Sequence, residues 1–246
     1  MARLTSESGG RGVETPASGG AGENRLARAA GRTWRARDPV SCYSHLAGAF
    51  LSVVGLVCLI VAARGNPWRV IGFSVYGTTL ILLYTASTTY HWLSLAPHRQ
   101  DLLKRLDHVA IFLLIAGTYT PVCLTTLRGG WGWSVFGVVW ALATAGATLK
   151  LSSAHLPRWP STALYLVMGW VAIVAVVPLV RSLPLGGLAW LLAGGILYTL
   201  GGVVYATRRP DPLPDRFGFH EIFHFFVLGG SILHFVFMLL YVAPTS

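Results

Sequence analysis

Seven apolar runs divide this chain, each near the roughly 20 residues that a helix needs to cross a hydrocarbon core. They cover approximately Tyr43–Ala63, Val70–Leu95, Leu106–Leu127, Trp131–Leu151, Ser161–Val180, Gly186–Ala206 and Phe219–Tyr241. Backbone inside hydrocarbon has no water to bond, so each run must satisfy its own N–H and C=O groups as an α-helix. Composition agrees: 54% of residues are hydrophobic, 11% are charged and the mean hydropathy is +0.59. A soluble domain carries about 25% charged residues. The expected fold is therefore an all-α membrane protein, a bundle of seven transmembrane helices over residues 39–246. The breaks carry turn chemistry, as in Arg64-Gly65-Asn66-Pro67, Arg128-Gly129-Gly130 and Pro210-Asp211-Pro212-Leu213-Pro214.

Residues 1–38 are different, rich in Gly, Ala, Ser and Arg and without apolar periodicity. Such a segment cannot bury enough surface to offset its ordering entropy, and a disordered tail is expected. It has no short apolar core with a small-residue cleavage site, so it does not read as a signal peptide. The net charge of +10 invites a nucleic-acid reading, but its distribution points instead to membrane lipid. The tail, second, fourth and sixth connections hold seven, three, two and three Lys or Arg, which makes 15 on one side against 4 on the other. The positive-inside rule then places the N-terminus in the cytoplasm and the C-terminus outside. Cys42, Cys58 and Cys123 show no CxxC spacing and read as buried thiols.

With that orientation, the second span ends at the cytoplasmic leaflet with Ser87-Thr88-Thr89-Tyr90-His91, the third begins there with Leu106-Asp107-His108, and the seventh begins there with His220 and His224. His220 and His224 are four residues apart, so a helix turns about 400° between them and both imidazoles leave nearly the same face. Ionisable groups at membrane depth are costly and mark functional sites. His91, His220 and His224 would leave one position open on tetrahedral zinc, the pattern of a catalytic site. A metal there would activate water near neutral pH and polarise a carbonyl oxygen. Asp107 would then serve as general base or orienting acceptor. Ser87, one turn before His91, could bond the water or a developing oxyanion. The same histidine pair could also simply cap a helix, bond across helices or sit at headgroup level.

Other polar residues read as secondary. Glu221 points about 100° away from His220 and suits a rim contact. His45 could support the site or bond a helix end, His108 points elsewhere, and His98 and His155 lie in loops. His234, about 15 Å beyond His224 along a helix, is too far to share a metal and suits an interhelical hydrogen bond. Pro121 should kink the third span, with Thr118 or Thr120 helping to satisfy freed carbonyls. Gly194-Gly195 and Gly201-Gly202 suit close helix packing, and Trp68, Trp131 and Trp133 an interfacial belt.

The pieces Ser87-x-x-x-His91, Leu106-Asp107-His108, Ile115-Ala116-Gly117-Thr118-Tyr119-Thr120-Pro121, and His220-Glu221-Ile222-Phe223-His224 followed by His234-Phe235 resemble the hemolysin III family. That family is the bacterial branch of the progestin and adipoQ receptor family, and the resemblance spans Tyr43 to Tyr241. It implies a seven-helix membrane protein with zinc on the cytoplasmic side, ligated by His91, His220 and His224, with Asp107 and Ser87 nearby. The site layout is similar to that of alkaline ceramidases, which implies hydrolysis of a lipid amide; the leading expectation is a zinc-dependent intramembrane hydrolase of a lipid amide or ester. The substrate would enter laterally from the cytoplasmic leaflet. Two other functions stay open: a receptor-like sensor with structural zinc, and a cytolysin or channel.

Overall fold

A computed structural model describes residues 36–152, 157–213 and 217–244. The expected tail through residue 35 and His155 lie outside the described residues. The helices are α1 (Pro39–Ala62), α2 (Pro67–Trp92), α3 (Pro97–Leu124), α4 (Gly130–Ser152), α5 (Arg158–Gly169), α6 (Val176–Ser182), α7 (Leu185–Thr207) and α8 (Phe219–Phe237). A 3-10 segment, Trp170–Ala175, joins α5 to α6 into one span, and a π turn, Met238–Val242, completes the last. Among the described residues, seven helical spans of 23 to 28 residues are long and apolar enough to cross a membrane. The protein is a multi-pass integral membrane protein.

Prolines start the first three helices at positions where the missing N–H costs nothing. The α2 start is also capped by Asn66, whose Oδ1 accepts from the N–H groups of Trp68 and Arg69 at 3.0 and 3.2 Å. Gly65 and Gly129 take φ of +88° and +129°, so the two tightest connections turn where only glycine is unstrained. The third span begins at Pro97 rather than Leu106. Hydropathy registers only its apolar part; the polar turns before it are held by the Arg105–Asp101 pair at 2.7 Å.

Consecutive spans pack against one another, and α8 returns against α1 as well as α7. The third span is the most buried and the fifth the least. Lipid-compatible side chains face outward, with Phe50 70%, Val174 70% and Val167 63% exposed. Trp131 and Trp133 are exposed at one end, where Trp133 meets Trp68 edge-on at 6.0 Å, an arrangement that suits an interfacial belt. Cys42 and Cys123 are buried free thiols, whereas Cys58 faces outward, contrary to its expected burial. Hydropathy shows that α1 spans the membrane but not which of its faces meets lipid.

Small residues set the helix spacing. A Cβ on Gly72 would lie 2.8 Å from Pro121 Cα, and one on Gly117 would strike Thr79. Gly194 sits under the His234 ring and Gly201 against Phe226, as expected of packing glycines, but Gly195 faces open space. Thr118 and Thr120 donate to the carbonyls of Leu114 and Ala116, each at 2.8 Å. Neither reaches Gly117, the carbonyl that Pro121 frees. Gly72→Val is expected to cost about 1–3 kcal/mol through overpacking against backbone. Gly195→Ala should leave stability unchanged or raise it slightly. Thermal unfolding in detergent distinguishes the two; equal behaviour would contradict the close α2–α3 approach.

Candidate metal centre

The end of α2, the early part of α3 and the start of α8 meet at one end of the bundle. The start of α8 is fixed from two sides. Glu221 Oε2 accepts the Gly218 N–H at 2.8 Å, and its Oε1 accepts from Ser41 Oγ on α1 at 3.2 Å. Glu221 is thus a capping and tethering residue, in keeping with the expected rim contact. Its bonds point His220 and His224 inward.

His220 Nε2 lies 3.2 Å from His91 Nε2 and 3.2 Å from His224 Nε2. Ligand-capable atoms of these three residues all fall within 4.8 Å of one another, and they form the one such group among the described residues. Four ligands placed tetrahedrally about zinc at 2.0–2.1 Å stand roughly 3.3 Å apart, so the spacing fits a metal. Hydrogen bonding alone fits poorly. The Nε2 of a neutral imidazole is either a donor or an acceptor, so His220 Nε2 cannot accept from one neighbour while donating to the other. Three lone pairs directed at one cation satisfy all three at once. His91 and His224 are buried and His220 is half-buried.

Around this cluster, His45 stacks flat on His224, with ring centroids 3.8 Å apart and an interplanar angle of 25°. It also meets Tyr84 edge-on at 4.9 Å. The His224 backbone lies near, but neither ring nitrogen of His45 closes a hydrogen bond of good geometry. Asp107 and Ser87 are buried side by side, and the Ser87 hydroxyl likewise lacks a well-formed partner. Asp107 is outside the group of converging ligand atoms. That separation suits a residue acting on water or substrate rather than on the metal. His108, expected to point elsewhere, brings its Nε2 to 3.5 Å from Tyr205 Oη. His98 is exposed in the first turn of α3, and His234 bonds Leu191 O on α7 at 3.2 Å.

Sequence reasoning missed Asp38. Its Oδ2 accepts from His91 Nδ1 at 2.8 Å and from Arg37 Nη2 at 2.8 Å. Partial burial pushes its carboxyl up, but the bonds from His91 and Arg37 outweigh this and hold it at about 2. An ionised carboxylate only accepts, so His91 carries its proton on Nδ1 and turns the Nε2 lone pair to the cluster.

From His220 and His224 a cavity of about 410 Å³ runs into the bundle. His45, Ser87, Asp107, His220 and His224 line one end, and residues such as Ile115, Leu166, Ile173 and Leu192 the remainder. Along α3 it extends from Asp107 to Cys123, roughly 24 Å at 1.5 Å per residue. The volume is that of a ligand pocket, apolar with a few convergent polar groups.

These features define a class: a seven-helix membrane protein that gathers a three-histidine cluster, able to hold a metal ion, at the end of a long apolar cavity. A family model described as haemolysin-III related matches residues 33–235, and the chain belongs to that family. It is 43% identical over 205 residues to Hemolysin-3 of Bacillus cereus, covering 82% of this chain and 90% of that one. The Hemolysin-3 homolog of Bacillus subtilis is 40% identical over 202 residues, covering 80% and 91%. The human monocyte to macrophage differentiation factor is 25% identical over 217 residues, covering 84% and 85%.

Proposed function

We propose that the protein is a zinc-dependent intramembrane hydrolase of a lipid amide or ester. The observation that carries this is the cavity itself, hydrocarbon-lined for most of its length and ending on Ser87, Asp107, His220 and His224. An acyl chain would fill the apolar part and bring its carbonyl to the polar end. His91, His220 and His224 would hold zinc, which polarises a carbonyl and makes water a better nucleophile near neutral pH. Asp107 would accept the proton of the attacking water and return it to the departing amine or alcohol. The Ser87 hydroxyl would donate to the oxygen on which charge develops. The excess of Lys and Arg at this end supports a site in the cytoplasmic leaflet, reached laterally by membrane lipid.

Purified zinc-loaded protein incubated with long-chain N-acyl and O-acyl lipids is expected to release fatty acid. A chelator should stop that release and added zinc restore it. No release from any of these lipids by zinc-replete protein would sink the hydrolase. A second reading, a sensor braced by zinc, is favoured by one observation: the ligands join α2 to α8 across 129 residues. In that case chelation lowers the melting temperature and no lipid is turned over.

A further inference from the structure

Asp38 stands at the N-cap of α1, where an aspartate ordinarily accepts from the first free N–H groups of the helix. Here its side chain makes no such bond. It is committed instead to His91, 53 residues further on. Two bonds join this pair, carboxylate to Nδ1 at 2.8 Å and Asp38 N–H to His91 C=O at 3.2 Å, so backbone and ring are held together. Arg37 fixes the carboxylate through Nε at 3.0 Å and Nη2 at 2.8 Å, and its guanidinium lies 4.5 Å above the Tyr90 ring. His224 is held less directly: the Ser41 backbone lies near its ring, but its buried Nδ1 closes no well-formed hydrogen bond, and the ring rests on His45.

We propose that Asp38 is the positioning residue of the metal centre, locking the tautomer and orientation of His91 and strengthening it as a ligand. The inference rests on the zinc reading above. A carboxylate behind a ligating imidazole raises its basicity and removes its freedom to flip, and losing such a partner weakens metal binding by about 10- to 100-fold. Arg37 acts one step further out, so Arg37→Gln should shift affinity in the same direction by less.

The test is zinc affinity of the full chain in detergent, by competition with a chelator of known affinity, beside the absorption spectrum of the cobalt-loaded form. Asp38→Ala is expected to bind zinc about 10- to 100-fold more weakly and to shift the cobalt bands, with Asp38→Glu recovering part of the loss. Asp38→Ser separates positioning from capping, because serine caps a helix well yet cannot reach His91. Wild-type affinity and spectrum in Asp38→Ser would overturn the proposal. Should the alanine variant fail to fold, Asp38→Asn, similar in shape but uncharged, must still bind more weakly; unchanged affinity there also overturns it. Wild type that takes up no zinc overturns the metal reading itself, a result distinguishable from tight binding in every variant.

Discussion

His220→Ala/His224→Ala is expected to abolish metal binding, taking the metal content of purified protein from about one zinc per chain to near none. Both side chains leave the same face of α8 one turn apart, and their Nε2 atoms lie 3.2 Å apart. Their removal leaves His91 as a single imidazole, too few ligands for a divalent ion in competition with water. Zinc should raise the melting temperature of wild type and leave the variant where it is, because only a ligand bound by the folded state shifts that equilibrium. Elemental analysis of protein purified without chelators decides the matter. Wild type free of metal would end the hydrolase reading and leave the histidines as packing groups.

Asp107→Asn has the opposite profile: zinc retained, turnover lost. Asp107 stands outside the converging ligand atoms but lines the same end of the cavity as Ser87 and His220. An amide of the same shape keeps the packing and cannot take a proton, so the rate should fall about 10²- to 10⁴-fold, the usual worth of a positioned general base. Zinc content and lipid hydrolysis measured on the same preparation make the result readable. Normal turnover in Asp107→Asn removes it as the base. Loss of zinc together with turnover would instead give it a structural part in the metal site.

Hydropathy made the seven spans legible because the solvent leaves no alternative to helices of that length. It could not show that the fifth contains a 3-10 segment at Trp170–Ala175, since apolar residues read alike in either winding. The histidine cluster was legible from two local signals, the four-residue spacing in α8 and the matched depth of His91. Asp38 was not. It precedes the first apolar run among arginines and reads as the end of the tail. What gives it meaning is a contact across 53 residues that no spacing rule encodes. The flat stack of His45 on His224 was hidden for the same reason, because depth can be counted along a chain but the rotation of one helix against another cannot.

The order of the three candidate ligands along the chain bears on how a metal site would be assembled. His91 arrives with the second span, while His220 and His224 come with the seventh, 129 residues later. If spans insert in chain order, the second would enter the bilayer with its imidazole unmatched, and the seventh would bring the other two beside it. A chain without the seventh span would offer one of the three candidate imidazoles, so metal capture would require that span to be in place.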